Sequence, residues 1–252
     1  HNALAGFYGD QNREDEAIRH ILNAIELYPD YPDPHYNLGV AFMRRGKYQE
    51  ALDPLVKAMT LNPELDDVHL KLGNAYYKTG KIKRAIFHLQ QEIINDPDCL
   101  DAHLNLANIF LKHNRLREAS MHLDKAKQMD PNNTDYMIYS GFYHIKKANF
   151  ERAKPFLSKA LSREPDNPEA VAQMGLLYGF QGEYKKALSY FERSVKLNPE
   201  SMETHYNLAG TYKSLNIFPE AEREYLKVLE ANPRNSSTHK NLGDVYCAMG
   251  KY

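Results

Sequence analysis

Apolar residues recur along this chain with the spacing of helical faces, and the same spacing returns many times. Counting from three residues before a recurrent histidine, positions 7 and 8 read Leu38-Gly39, Leu72-Gly73, Leu106-Ala107, Ser140-Gly141, Met174-Gly175, Leu208-Ala209 and Leu242-Gly243. Position 11 is Tyr8, Phe42, Tyr76, Phe110, His144, Tyr178, Tyr212 or Tyr246. Positions 4, 7, 8 and 11 lie on one face of an α-helix. Position 15 is glycine at Gly46, Gly80, Gly182 and Gly250, and asparagine at Asn12, Asn114 and Asn216; only Ala148 departs. Glycine and asparagine accept the left-handed backbone that closes a helix, so a first helix is predicted to end there. A second helix is predicted from Tyr48, Ile82, Leu116, Phe150, Tyr184 and Phe218. Its buried face carries an alanine, then Leu55, Leu89, Leu123, Leu157, Phe191 or Tyr225 four residues on. It stops before a recurrent proline, because the residue preceding proline is pushed out of the helical region.

The period is 34 residues without an insertion. Proline recurs at Pro29, Pro63, Pro97, Pro131, Pro165, Pro199 and Pro233, and alanine at Ala17, Ala51, Ala85, Ala119, Ala153, Ala187 and Ala221. A period of this length means a solenoid. The expected architecture is all-α, an α-α superhelix of about 7.4 helix–turn–helix units. It forms one array over 1–252: a partial repeat 1–31, full repeats 32–65, 66–99, 100–133, 134–167, 168–201 and 202–235, and a partial repeat 236–252. One such helix pair cannot bury both its faces, so each unit leans on its neighbours.

The pattern resembles the tetratricopeptide repeat family over the whole chain. That family has a large residue at 4, Leu-Gly at 7–8, Tyr at 11, Ala at 20, an aromatic near 24 and Pro at 32. The resemblance implies a right-handed superhelix. The main departure is position 4, where tryptophan is common in the family and this chain has His1, His35, His69, His103, His205 and His239. These histidines are expected to fill the tryptophan slot on the buried seam. Glu92 and Val228 replace small residues at position 27, and Pro54 and Pro155 fall inside second helices, where a bend is expected. The array opens at position 4 and stops at position 17 with no polar capping helix, which predicts a segment of a longer protein or an array continued by another element.

Composition narrows the function. The formal net charge is −1, with 42% apolar and 26% charged residues, so the basic excess of a nucleic-acid binder is missing. No apolar run approaches the roughly 18 residues that would insert into a membrane. The two cysteines, Cys99 and Cys247, make no metal or redox motif; two free thiols fit a reducing, cytoplasmic compartment. No His-Glu-x-x-His, phosphate-binding glycine loop or Gly-x-Ser-x-Gly occurs, so no metal, cofactor or catalytic residue is expected. Histidines one repeat apart stand roughly 10 Å from each other, whereas zinc ligands sit about 2.1 Å from one ion. His20, His88, His113 and His122 are read as surface or flanking positions.

By the family resemblance, positions 2, 5, 6, 9, 12 and 13 line a concave groove. Position 2 is acidic at Asp33, Asp67, Asp101, Asp135, Glu169 and Glu203, and position 13 basic at Arg44, Lys78, Lys112 and Lys146. That pattern matches the helix dipole, or forms two charged rims. Asn37, Asn105, Asn207 and Asn241 recur at position 6, interrupted by Lys71 and Tyr139. Such amides can bond the backbone of an extended peptide or tie repeats together. The row resembles the asparagine ladder in the repeat arm of O-GlcNAc transferases. Leu70, Leu104, Ile138, Tyr77, Leu111 and Ile145 at positions 5 and 12 are expected to form an exposed apolar floor. Tyr36, Asn108 and Tyr139 complete the expected peptide-binding groove. The clamp that holds Hsp70 or Hsp90 C-terminal tails is not expected, since position 2 is acidic and only Lys240 occupies position 5, followed by Asp244 at position 9. The expected function is a non-enzymatic scaffold binding an extended or helical segment of a protein partner. The alternatives are the substrate-recognition arm of a larger enzyme, such as a protein glycosyltransferase, and an element that self-assembles through its ends.

Overall fold

A computed structural model describes residues 14–251. Among these residues it holds fourteen helices and no strand. They are α1 (Glu14–Leu27), α2 (Pro32–Arg44), α3 (Tyr48–Leu61), α4 (Val68–Lys78), α5 (Ile82–Asn95), α6 (Leu100–Lys112) and α7 (Leu116–Met129), then α8 (Thr134–Lys146), α9 (Phe150–Arg163), α10 (Pro168–Phe180), α11 (Tyr184–Leu197), α12 (Met202–Ser214), α13 (Phe218–Ala231) and α14 (Ser236–Ala248). The chain folds as two compact units, one ending at Met129 and one beginning at Asp130. The repeat positions at His1, Tyr8, Asn12 and Tyr252 lie outside the described residues.

The second helices begin where the pattern places them, at Tyr48, Ile82, Leu116, Phe150, Tyr184 and Phe218. Each first helix is closed by a left-handed residue at position 15, and Ala148 adopts this conformation too, with φ 53°. Helices α3 and α9 run through Pro54 and Pro155 without interruption. One first helix starts late. In α4, Asp67 is itself left-handed (φ 59°) and offers no side-chain cap. The buried Glu92 carboxylate on α5 accepts the Leu70 N–H at 2.9 Å instead. The position-27 departure therefore caps a neighbouring helix. Asn133, Asn149, Asn167, Ser201 and Asn235 cap their own helices.

Packing follows the small residues. The alanine of every described second helix is buried, and a β-carbon on Gly73 would stand 2.7 Å from Leu89 Cγ. Position 8 is small because the second helix comes that close. In the second unit, Leu157, Met174, Leu177, Phe191, Leu208 and Tyr225 are core members of one continuous cluster. In both units each first helix touches its own second helix, and second helices touch the following first helix. First helices also touch the next first helix, as α2 with α4 and α10 with α12, whereas second helices do not touch one another. Closer spacing on one side makes the first helices the inner face of each unit.

Of the position-4 histidines, His35, His103 and His205 fill the buried seam, whereas His69 is half-buried and His239 exposed. The Nε2 of His35, His103, His205 and His239 donates to the carbonyl of the proline six residues earlier, at 2.8, 3.2, 2.9 and 2.8 Å. An imidazole thus satisfies the carbonyl that follows the preceding second helix, which explains why His and Pro recur together. The expectation for His88 and His122 is corrected. His88 is buried and His122 half-buried, and their Nδ1 atoms meet those of His69 and His103 at 2.9 Å in both cases. They sit at position 23, which faces position 4 across the helix pair. In the sixth full repeat position 23 is Glu224, which accepts from His205 Nδ1 at 2.6 Å. His144, at the aromatic position 11, stacks on Phe156 with ring centroids 5.7 Å apart.

Candidate functional site on the inner face

Two contacts decide what the inner face exposes. Each first helix is covered by its own second helix and again by a neighbouring first helix. The buried surface is consequently wider than the stripe 4, 7, 8, 11. Position 3 is buried in every described repeat, from Pro34 and Val68 to Thr238. Positions 5 and 12 are buried wherever they are leucine or isoleucine.

The expected apolar floor is therefore corrected. Leu70, Leu104, Leu111, Ile138 and Ile145 are all buried, none more than 4% exposed. They are core residues, enclosed because first helices pack closely on this side. The accessible strip consists of the polar or bulky members: Tyr36, Asn37, Tyr77, Asn105, Asn108, Tyr139, Asn207 and Asn241 are half-buried. Burial, with nearby Asp67, Glu92 and Asp66, pushes the Tyr36 phenol up to about 12, so it stays an O–H donor.

The amide row divides into tied and open members. Asn105 Nδ2 donates to Asn74 Oδ1 at 2.7 Å, one repeat earlier. Asn241 Nδ2 donates to Tyr206 Oη at 2.8 Å, and its Oδ1 accepts from Lys213 Nζ at 2.8 Å. Both amides join adjacent repeats. The Asn207 side chain has no hydrogen-bond partner among the described residues. Gln173 at the same register donates to Glu169, leaving its buried Oε1 without a partner among the described residues.

Next to Asn207 the second unit opens into a cavity of about 250 Å³. Its origin is a pair of glycines. Position 12 runs Ile145, Gly179, Lys213 and position 9 runs Phe142, Leu176, Gly210 in successive repeats. Where the preceding repeat places Ile145, Gly179 leaves space, and where it places Leu176, Gly210 does. The walls are aromatic, with Phe180 60% exposed at the mouth and the Tyr206 ring edge-on to Tyr225 at 5.8 Å. Tyr225 forms the floor. A β-carbon on Gly210 would be 3.6 Å from its hydroxyl, so the hydroxyl faces the space the glycine leaves. Lys213 is the one charged residue lining the cavity, and it also bonds Asp244 at 3.0 Å.

Of the residues expected to form the peptide-binding groove, Asn207 and Asn241 line this cavity; the others do not. Gly179, Gly210, Tyr225 and Lys213 were missed. The available signal was two glycines replacing bulky groove residues in consecutive repeats. Among the described residues no group of three or more His, Cys, Asp or Glu is placed to hold a metal ion, and no helix is long and apolar enough to cross a membrane.

Comparison with known proteins gives a consistent picture. A family model described as TPR repeat matches residues 8–46 and 41–80, and one described as tetratricopeptide repeat matches 70–134. A third, described as anaphase-promoting complex, cyclosome, subunit 3, matches 146–228. No curated protein sequence matches. Among solved structures, a tetratricopeptide repeat protein from Parabacteroides merdae is 14% identical, with 96% of each chain covered and a TM-score of 0.76. The Cut9–Hcn1 hetero-tetramer of the APC/C is 14% identical with a TM-score of 0.78; 96% of this chain spans 48% of that one. The human IFIT1 dimer with m7Gppp-AAAA is 16% identical with a TM-score of 0.71; the whole of this chain spans 64% of that one. At these identities the likeness is of fold.

Proposed function

Because the chain belongs to the tetratricopeptide-repeat family, whose members are in general non-catalytic protein–protein interaction scaffolds, we propose that the inner face of its second unit binds an extended segment of a partner protein. The observation that carries this reading is the glycine-opened cavity beside the unpartnered Asn207 amide. An amide can donate to and accept from one peptide group at once. An extended chain rises about 3.3 Å per residue, so about three residues span adjacent first helices packed 8–10 Å apart. The near-neutral charge of the chain argues against a nucleic-acid partner, whose binding rests on phosphate neutralisation.

A random dodecapeptide library selected on the whole chain tests the proposal, with affinities read by fluorescence anisotropy. Selected peptides are expected to lose about tenfold or more in affinity on Asn207→Ala or Ser214→Arg, the scale of about 1.4 kcal/mol. They should be indifferent to Lys196→Glu on the second helix α11. Peptides that ignore both inner-face changes, or that respond to the α11 change, would overturn it.

A further inference from the structure

We infer that the cavity between α10 and α12 is an anchor for one aromatic side chain carrying an O–H or N–H group, a tyrosine or tryptophan, flanked in the partner by an acidic residue. The inference rests on the reading above and names the partner chemistry at that site.

Three observations converge. The first is size. At about 250 Å³ the cavity falls below the roughly 300–1,000 Å³ of small-molecule clefts, and its walls are rings. Aromatic residues dominate the anchors of protein interfaces because they bring large area to a small pocket.

The second is the floor. Tyr225 is 1% exposed, and its hydroxyl has no hydrogen-bond partner among the described residues. Burial drives the phenol above its ordinary range, so it remains protonated. An occupant with a polar tip satisfies this group; phenylalanine or leucine would leave it unpaired and shut off from water.

The third is charge. A lysine ammonium has three protons. Those of Lys213 meet Asn241 Oδ1 and Asp244 Oδ2, leaving one for an incoming carboxylate. Lys213 is the sole charged group lining the cavity; it shares its charge with Asp244, and its remaining proton offers a carboxylate at the rim one charge-assisted hydrogen bond. A polypeptide supplies both features within two residues.

The test titrates the whole chain with capped dipeptides, followed by ligand-observed NMR. Acetyl-Trp-Glu-amide is expected to bind saturably, and acetyl-Ala-Glu-amide not at all. Replacing Glu by Gln in the probe should weaken binding several-fold. Tyr225→Phe should weaken it about fivefold, one neutral hydrogen bond. Gly210→Leu, which installs the residue of the preceding repeat, should abolish it while circular dichroism stays unchanged. If that variant misfolds, Tyr225→Phe decides alone. Absence of saturable binding, binding untouched by both variants, or binding of guanosine monophosphate but no dipeptide would overturn the inference. Library peptides that depend on Asn207 yet lack an aromatic residue would leave inner-face binding standing and remove only the anchor.

Discussion

His103 and His122 face each other through their Nδ1 atoms, 2.9 Å apart, and share a single proton. The tautomers follow from the surroundings. His103 Nε2 donates to the Pro97 carbonyl, so in the neutral ring its Nδ1 accepts and His122 Nδ1 donates. A second proton would set N–H against N–H. The Phe110 ring stacks on His122, Lys125 opposes a charge on His103, and Asp96 and Asp98 favour one. His69 and His88 make the same Nδ1–Nδ1 contact one repeat earlier, with Tyr76 stacked on His88 and Arg84 nearby.

These pairs predict acid sensitivity above the carboxylate range. Burial, then the partner imidazole, pushes His88 and His122 down to about 4, and burial also lowers His69 and His103. An unfolded histidine titrates near 6.5. Between about 6.5 and 4 the unfolded chain therefore binds more protons than the folded one. Stability is full above about 6.5 and falls as pH drops through this window. Calorimetric scans from about pH 7 to about pH 5 should show a falling Tm. A His88→Gln, His122→Gln double variant should give a flatter profile, and equal slopes would refute the assignment.

Leu104→Glu is expected to unfold the first unit rather than disable a binding surface. Leu104 is 3% exposed, so a carboxylate there would be taken out of water. The cost should reach about 4 kcal/mol or more, the range of severe core lesions. Urea titration with Asn207→Ala alongside checks this, since the half-buried amide should cost less than about 1 kcal/mol.

Ala148 is the one residue at the helix-closing position that is neither glycine nor asparagine, and it holds φ 53° all the same. An L-residue with a β-carbon pays roughly 1 kcal/mol in that region. Ala148→Gly should stabilise the chain by about that amount and raise Tm by about 2–4 °C. Gly80→Ala (φ 74°) should do the reverse. A thermal scan of both variants decides, and a Tm for Ala148→Gly at or below wild type would show that the turn is not strained.

The chain by itself determined the repeat, its period and its helix boundaries. These are set by local chemistry: Gly46 or Asn114 closes a helix wherever it stands, and the residue before Pro97 leaves the helical region in any context. The same locality made Asn207 and Asn241 visible at position 6. What the tertiary structure alone decided is which face stays open. Leu104 and Ile138 look like groove residues on a single helical wheel, yet first helices pack on one another and bury them. His122 looks like a surface residue until position 23 is brought against position 4, nineteen residues back. The cavity is likewise invisible in any one repeat, because it is made by what Gly179 and Gly210 lack in two neighbouring helices at once. Burial is a property of pairs of elements, and a periodic sequence reports only one element at a time.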